Sequence, residues 1–310
     1  MRLTIKDGRK FPKAVKDEAS MRGKGSAKGH HGEIIQGVFE RERRLLVRGL
    51  VSLPCRTLAS TATFSSADGD EITVSPSWKA KARDAVKNLL KSRNLPSKGG
   101  ELTVESNIPA GYGLGSSTAD VIASIRAAAN CYGLSLAPGD IARIAVETEQ
   151  ACDSTMFDGE AVLFAQREGQ IIEDLHGEIP AIDLVSVNVA PDKPVDTIAF
   201  PPARYSTSEI EQFRSLRGFL RTAIRSGNVS LLGRVATASA TINQRHLPQE
   251  HFAEIRLIAE KNSALGIQVA HSGTVIGVMF DPASPQASKA IATTLSDLSL
   301  AGFSPQFYRH

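Results

Sequence analysis

Three glycines within five residues, Gly111, Gly113 and Gly115, stand between a predicted strand and a predicted helix. Residues 101–106 alternate apolar and polar side chains, which predicts a strand. After the glycines, apolar residues recur at helical spacing as far as Gly133. A glycine at that place favours the left-handed conformation that ends a helix. A glycine-rich turn here lets the backbone approach a ligand, and the free amides of the following helix favour an anion.

Three hydroxyl residues, Ser116, Ser117 and Thr118, open the predicted helix. Their hydroxyls suit phosphate oxygens or magnesium, so loop and helix together fit a triphosphate. Other motifs fail on spacing: no Walker A loop occurs, and Ser116 occupies the place of the third glycine of a dinucleotide fingerprint. No nucleophile elbow surrounds these serines, which argues against a hydrolase. The loop taken alone is also compatible with an ordinary strand-to-helix turn.

The amino-acid composition excludes several broad classes of protein. The chain has 310 residues, 42% apolar and 22% charged, with a net charge of +3, which is typical of a globular protein with one large or two ordinary domains. No apolar run approaches the length of a membrane span, about 20 residues, so no membrane partner is expected. Residues 1–28 are basic but lack a signal-peptide core and a nucleic-acid motif. We expect a solvated extension or a weak anion-binding arm, and no nucleic-acid partner.

The three cysteines, Cys55, Cys131 and Cys152, lie far apart and form no CxxC pair. Neither a disulfide framework nor a structural zinc site is indicated by this spacing. We therefore expect buried, reduced thiols and a cytoplasmic location for the protein.

Periodicity predicts a β-rich start and a largely helical second half. Strands are predicted at 34–39, 44–53, 57–64, 71–74 and 101–106, and helices at 78–92, about 116–132 and 138–150. Beyond a predicted domain boundary near residue 182, strands are expected at 183–189 and 303–308, a strand-turn-strand at 266–280, and helices at about 208–226, 229–243, 249–264 and 285–298.

The glycine-rich segment does not stand alone. The pattern Pro109-x3-Gly113-Leu114-Gly115-Ser116-Ser117 resembles the phosphate-binding motif of the GHMP kinases, named for galactokinase, homoserine kinase, mevalonate kinase and phosphomevalonate kinase. Residues 29–37, Gly-His-His-Gly-Glu-Ile-Ile-Gln-Gly, occupy the place of that family's first motif. Residues 270–274, Ala-His-Ser-Gly-Thr, occupy the place of its third. Order, spacing and chain length all agree with the family.

Within the family, the resemblance is greatest to the L-threonine kinases of cobalamin side-chain synthesis. It covers nearly the whole chain after the basic arm, including residues 116–120, 153–157 and 269–273. Two departures concern the acceptor side: His30 and His31 stand where a threonine kinase carries a small residue and a cysteine, and residues 149–153 are one residue longer than their counterpart. The acceptor alcohol is therefore less well specified than the phosphoryl chemistry.

This resemblance implies an α+β protein with the two-domain GHMP kinase fold. After a basic extension at 1–28, residues 29–181 would form a ribosomal protein S5 domain 2-like, ATP-binding domain, and residues 182–310 a ferredoxin-like domain. The implied reaction is ATP-dependent, Mg²⁺-dependent phosphorylation of the L-threonine side-chain hydroxyl, giving O-phospho-L-threonine and ADP. The expected partners are a small-molecule alcohol, either an amino acid or an amino alcohol, and a second copy of the chain in a homodimer.

The resemblance also implies which residues bind ATP and magnesium. Magnesium would be held by Ser117, also assigned to catalysis, and by a carboxylate on the next helix, Glu149 or Glu147. These two glutamates point about 200° apart on a helix, so only one can face the site, and the resemblance favours Glu149. The expected ATP-binding residues are Pro109, Gly111, Gly113, Leu114, Gly115, Ser116, Ser117 and Thr118.

On the acceptor side, Asp153 is the candidate catalytic residue: it would accept the hydroxyl proton or hold the amino group, with turn capping as the alternative. Adjacent strand residues face opposite sides, so His30 and His31 are not expected to share a metal ion. The expected substrate-binding residues are His31, Glu33, Gln36, Asp153, His271, Ser272 and Gly273. Structural roles remain open for Gln36 and for His271, which also fits a core histidine.

Two rival functions remain after the sequence is considered. The first is the same chemistry on another amino acid or amino alcohol, such as homoserine or a secondary-metabolite precursor. The second is a non-catalytic nucleotide-binding relative. The joint presence of Ser117, Glu149 and Asp153 argues against the second, because a simple binding protein needs no magnesium carboxylate.

Overall fold

The structure is a computed structural model, and it describes residues 21–41, 45–93, 95, 99–192, 203–271 and 273–309. The strands are β1 (Arg22–Glu40), β2 (Leu46–Ala67), β3 (Ile72–Ser75), β4 (Gly99–Ser106), β5 (Glu160–Ala165), β6 (Gln170–Glu178), β7 (Asp183–Asn188), β8 (Gly266–Val269), β9 (Val275–Phe280) and β10 (Gln306–Tyr308). The helices are α1 (Ala80–Ser92), α2 (Ser116–Cys131), α3 (Pro138–Glu149), α4 (Thr207–Ser226), α5 (Val229–Asn243), α6 (Phe252–Lys261) and α7 (Ala287–Leu300), with a 3-10 turn at Thr155–Phe157.

One sheet connects the two halves of the chain. Its strand order is β10-β7-β9-β8-β1-β2-β4-β3, with β5 added to β2 and β6 to β5. Strand β1 pairs antiparallel with β2 and also with β8, where Glu33 lies opposite Val269. The β1–β2 register shifts between Lys28 and Gly29, between His30 and Glu33, and again before Ile35. Such irregularities redirect side chains and are common beside active sites.

The first strand begins within the predicted basic extension, because residues 22–28 pair with β2. Its small residues alternate with basic ones: a Cβ on Gly23 would lie 2.2 Å from the Cys131 nitrogen, and one on Gly25 would lie 2.3 Å from the Ala123 oxygen. These glycines let β1 lie directly against α2, while Arg22 and Lys24 are exposed. Residues 1–20 of the predicted extension lie outside the described residues.

Three apolar clusters form the interior. The first lies between α1, α2, α3 and the sheet formed by β2 and β4, and includes Phe64, Leu89 and Ile122. The second joins the middle of β1 and β2 to α4 and α5 through Phe213. The third packs α6 and α7 against β7, β8 and β9. The second cluster combines residues from both sides of position 182, so the domain boundary stays a prediction.

Most predicted elements are present, and the largest omission is the β5–β6 hairpin. Strand β5 is a short, almost fully buried run without polar alternation, and periodicity does not distinguish such a run from other structures. Strand β6 is mostly exposed and carries Glu173, whose carboxylate pairs with Arg217 and Arg221 of α4. Only Leu175 of this strand is fully buried, so its apolar pattern is weak, and its contacts with β5 and α4 are ones that periodicity does not predict.

Two other observations concern membrane-spanning helices and the state of the cysteines. Among the residues that the structure describes, every helix is too short or too polar to cross a bilayer. Cys55, Cys131 and Cys152 are buried free thiols, as predicted.

Candidate active site

The glycine-rich loop leads from β4 into α2. Gly111, Gly113 and Gly115 have φ angles of 82°, 77° and 75°, a region that side chains with a Cβ rarely adopt. Gly115 is the N-cap of α2, and no side chain caps the helix there. The first amides of α2 therefore remain available, together with the positive end of the helix dipole, for an anionic ligand.

The turn after β8 packs against this loop. A Cβ on Gly273 would lie 2.0 Å from the Tyr112 oxygen, and one on Gly113 would lie 2.8 Å from the Gly273 Cα. The Gln249 side chain donates a 2.7 Å hydrogen bond to the Gly273 carbonyl and fixes the turn. Gly273 thus contacts the loop through its backbone, while its predicted neighbour Ser272 lies outside the described residues.

A cleft of about 520 Å³ opens over the loop. The predicted residues that line it are Pro109, Gly111, Gly113, Leu114, Gly115, Ser116, Ser117, Thr118, Glu149, Asp153 and His271. His31, Glu33, Gln36 and Gly273 are not among the residues that line it. The cleft thus brings the predicted phosphate residues and the predicted acceptor residue Asp153 into one space.

Glu149 faces the start of α2. Ser117 Oγ donates a hydrogen bond to Glu149 Oε1, and Thr118 Oγ1 donates one of 3.1 Å to Oε2. Burial raises the pKa of Glu149, although the Ser117 hydrogen bond and Lys81, whose Nζ lies 3.6 Å from Oε1, oppose this effect. Glu147 is exposed on the opposite side of α3. The structure therefore places Glu149, and not Glu147, beside the serine.

Asp153 lies next to the loop and pairs with a histidine. His30 Nε2 lies 2.9 Å from Asp153 Oδ2, and the same Oδ2 lies 3.3 Å from the place that a Cβ on Gly115 would occupy. Burial alone would raise the pKa of Asp153, but the charge and hydrogen bond of His30 lower it below its usual value. Asp153 is therefore an ionised carboxylate adjacent to the phosphate loop.

His31 does not line the cleft, and its role as a substrate contact stays a prediction. Its Nδ1 shares a hydrogen bond with Gln268, and its ring lies 5.3 Å from that of Tyr308. Burial lowers its pKa to about 3, so the ring is neutral. The register shifts of β1 turn His30 into the cleft instead.

Glu33 and Gln36 are also buried behind the cleft. Burial raises the pKa of Glu33 to about 7, opposed by the charge of His30, whose Nδ1 lies 3.6 Å from Oε1. The backbone of Gln36 is held by α5: Asn243 donates a 2.9 Å hydrogen bond to its carbonyl, and its amide is bonded to Ser239 Oγ at 3.0 Å. This arrangement favours the structural alternative for Gln36.

Other cleft residues were not predicted from the sequence. Lys79 Nζ lies 2.6 Å from Asp120 Oδ2, an ion pair buried at the foot of α2. Lys81 and Arg167 add further positive charge to the cleft, and Gln166 hydrogen-bonds His271 at 3.2 Å. Lysines in the first turn of a helix that packs against α2 are the signal that could have identified Lys79 and Lys81.

The arrangement supplies three chemical functions. Loop amides and lysines can neutralise phosphate, and the oxygens of Ser117, Thr118 and Glu149 suit a hard cation. The carboxylate of Asp153 can accept a hydrogen bond from a hydroxyl group. Within the described residues, His30, Glu33 and Asp153 also form a possible metal cluster. His30 contacts both carboxylates, Asp153 through Nε2 and Glu33 through Nδ1, so a metal ion here would have to displace these ion pairs.

Comparison with known proteins agrees with this geometry. Residues 80–165 match the family described as the GHMP kinases N terminal domain. An L-threonine kinase of Citrobacter freundii is 30% identical over 258 residues, covering 81% of this chain and 83% of that protein. An L-threonine kinase of Salmonella typhimurium is 31% identical over 57% of this chain and 59% of its own length.

The fold agrees as well. A solved homoserine kinase from Cytophaga hutchinsonii has a TM-score of 0.67 at 15% identity, covering 97% of this chain and 96% of that one. The predicted α+β class and two-domain fold are thereby confirmed. Because the family motif, a relative similar over most of both chains, and the fold all agree, this chain belongs to the GHMP kinases.

Proposed function

We propose that this protein transfers the γ-phosphoryl group of ATP to the side-chain hydroxyl of L-threonine, giving O-phospho-L-threonine and ADP. GHMP kinases use ATP to phosphorylate small hydroxyl-bearing molecules, and relatives named L-threonine kinase favour this acceptor. The observation that carries the proposal is the position of Asp153, whose carboxylate lies beside Gly115 of the phosphate loop. A phosphate on the loop and a hydroxyl on Asp153 would therefore meet.

The phosphate end would work mainly by positioning and charge. ATP phosphates would lie along residues 113–118, bound by loop amides and by the positive end of α2. Lys81 would add positive charge at the rim of the cleft. Preorganised donors of this kind stabilise charge that spreads over the phosphoryl oxygens during transfer.

The oxygens of Ser117, Thr118 and Glu149 form a donor set that fits Mg²⁺. Mg²⁺ bound there would neutralise charge on the β- and γ-phosphates. Ser117 and Glu149 would hold it, which requires that their present hydrogen bond be exchanged for coordination. Lys81, exposed and 3.6 Å from Glu149, can turn toward phosphate when that carboxylate binds the cation.

The acceptor end would orient the hydroxyl for attack. Its oxygen forms the new bond to the γ-phosphorus as the bond from phosphorus to the departing ADP oxygen breaks, and the hydroxyl proton leaves toward Asp153. His30 keeps Asp153 ionised. Asp153 would therefore act chiefly as a hydrogen-bond acceptor that holds the hydroxyl in line. Threonine would also need contacts for its ammonium and carboxylate, and the exposed cation Arg167 lies in the same cleft.

Acceptor identity is tested by ADP release with a panel of alcohols, with the product checked by ³¹P NMR. We expect L-threonine to be phosphorylated, L-serine less well, and amino alcohols without a carboxylate poorly, because a site built to pair polar groups rejects analogues that lack them. Turnover of homoserine or of an amino alcohol in place of threonine would establish the rival kinase. ATP binding without turnover of any alcohol would instead support the non-catalytic relative.

A further inference from the structure

A second pocket lies between the end of β1 and one face of α4. Its volume is about 420 Å³, which is typical of small-molecule sites, and none of its described lining residues belongs to the cleft over the glycine-rich loop. Among the described residues that line it, four arginines face a single carboxylate, that of Glu40. The arginines are Arg41, Arg214, Arg217 and Arg221. A concave surface lined in this way attracts anions.

Three of these arginines share one face of the helix. Arg214, Arg217 and Arg221 follow one another at intervals of three and four residues, so their side chains are neighbours along α4. The side chains of Arg217 and Arg221 are only 21% and 38% exposed. A guanidinium group that is partly withdrawn from water binds an oxyanion more strongly than one at the open surface.

Glu173 of β6 orients two of the arginines and leaves most of their donors free. One of its carboxylate oxygens accepts a hydrogen bond from Arg217 Nε, and the other accepts one from Arg221 Nε. Arg217 Nη1 then donates a 2.9 Å hydrogen bond to the Glu40 carbonyl. Within the described part of the chain, neither Nη nitrogen of Arg221 has a hydrogen-bond partner. A guanidinium fixed through Nε keeps its outer nitrogens, which fit an oxyanion, available for binding.

Gly218 keeps space open in the same pocket. It lies inside α4 with a helical backbone, and glycine is less favourable there than alanine. A Cβ on Gly218 would meet no described atom within 4 Å, so packing within the protein does not require a glycine at this position. Because Gly218 lines the pocket, a long side chain there would enter the space between the arginines. A ligand in the pocket gives this glycine a role that the fold does not.

The number of free donors and the rest of the lining indicate the class of anion. Arg41, Arg217 and Arg221 each keep at least one free Nη nitrogen, since Arg41 uses Nη1 for a 2.7 Å hydrogen bond to Gln170. Three guanidinium groups suit the three terminal oxygens of a phosphate monoester better than the two of a carboxylate. Partly buried Val38 and Ile210 form an apolar wall beside them, which an inorganic ion would leave uncovered.

We propose that the pocket between β1 and α4 binds a small phosphate monoester, whose phosphate is held by Arg41, Arg217 and Arg221 and whose organic part lies along Val38 and Ile210. This site goes beyond the proposed reaction and does not depend on which alcohol the enzyme phosphorylates. The rival account is that the arginines only tie α4 to β1 and β6 through ion pairs. The two accounts predict opposite results for anion binding.

Calorimetry with the full chain tests the site directly. Mg²⁺ and a non-hydrolysable ATP analogue are first added to saturation, so that the phosphate loop is occupied. Phenyl phosphate should then bind to wild type at one site. Benzoate, which carries a carboxylate on the same ring, and inorganic phosphate should each bind at least about 10-fold more weakly. No binding of phenyl phosphate would overturn the site, and equal affinity for benzoate or inorganic phosphate would overturn the proposed class of ligand.

Two variants and a control locate the binding. Arg221→Gln removes the guanidinium with the most free donors and should weaken phenyl phosphate binding by about 10-fold to 100-fold. Gly218→Leu keeps every charge but fills the pocket, so it should abolish binding without lowering the melting temperature. Arg256→Gln removes another helix arginine, which pairs with Glu260 of its own helix, and should bind like wild type. Wild-type affinity in Arg221→Gln and Gly218→Leu, or an equal loss in Arg256→Gln, would refute the site. None of these measurements needs turnover, so failure of the proposed reaction would be seen separately.

Discussion

The two ends of the cleft are built in different ways. At the phosphate end, the ligand-facing groups are mainly backbone amides presented by three glycines in a left-handed conformation. At the acceptor end, they are the side chains of His30 from β1 and of Asp153 from the segment after α3, which are held by charge, with Glu33 buried behind them. A backbone site tolerates little change in shape, whereas a side-chain site is sensitive to charge and pH. Substitutions at the two ends should therefore fail in different ways.

The largest expected effect is at Gly115. Its φ angle of 75° and the 2.4 Å approach to His30 leave no room for a Cβ, so Gly115→Ala should reduce ATP affinity by at least about 100-fold. Gly133→Ala is the matched control, because Gly133 has a φ of 64° with open space around it. Both variants should lose about 1–2 kcal/mol of stability from the strained backbone, and Gly115→Ala should lose more because its Cβ meets the buried His30 ring, but calorimetry should show lost ATP binding only for Gly115→Ala.

The next largest effect separates the two glutamates of α3. Glu149→Ala removes the buried carboxylate beside Ser117, so turnover at saturating ATP should fall by about 100-fold or more. Glu147→Ala removes an exposed carboxylate from the same helix and should change turnover less than twofold. Initial rates across a Mg²⁺ titration provide the measurement. A larger loss in Glu147→Ala would contradict the placement of the cation site.

Asp153→Asn should have a smaller effect, confined to turnover. The pKa of Asp153 is already lowered by His30, so it contributes orientation more than proton abstraction, and we expect a loss of about tenfold to 100-fold. The loss should appear on every accepted alcohol. Steady-state rates with L-threonine and with the next best acceptor measure it. A loss above about 10⁴-fold would show that Asp153 is a full general base after all.

The smallest expected effect is at His31, outside the cleft. Its folded pKa of about 3 lies below its ordinary value of 6.5, so the unfolded chain binds a proton between these values and the folded chain does not. This histidine therefore destabilises the protein as pH falls from 6.5 toward 3. Between pH 7 and pH 5, His31 should lower the wild-type free energy of unfolding by about 2 kcal/mol, and His31→Gln should not show this part of the fall. Urea unfolding at the two pH values measures the difference. Acceptor preference should not change.

The same contrast explains what could be predicted from the sequence. Glycine spacing and helix openings are local, so the loop, α2 and the choice between Glu149 and Glu147 follow from motif resemblance and helix geometry. His30 and His31 show the opposite case. The strand alternation predicts that they face opposite sides, but register shifts on both sides of His30 decide which one enters the cleft. These shifts depend on pairing with β2, which is remote in sequence.

The β5–β6 hairpin and the Lys79–Asp120 ion pair are missed for a related reason. The charged face of β6 is stabilised by arginines of α4, and Lys79 forms an ion pair with Asp120, which lies 41 positions later in the sequence. Neither contact leaves a periodic pattern in its own segment. Where the stabilising partner is distant along the chain, sequence periodicity carries little information about position.

Calorimetric titration of a non-hydrolysable ATP analogue with Mg²⁺, using wild type, Gly115→Ala and Asp153→Asn, tests the separation of the two ends most directly. The arrangement described above predicts that Asp153→Asn binds the nucleotide within about twofold of wild type, although its turnover is impaired, while Gly115→Ala binds it at least about 100-fold more weakly. If Asp153→Asn lost nucleotide affinity as severely as Gly115→Ala, or if Gly115→Ala bound normally, the division into a backbone-built phosphate end and a charge-built acceptor end would be contradicted.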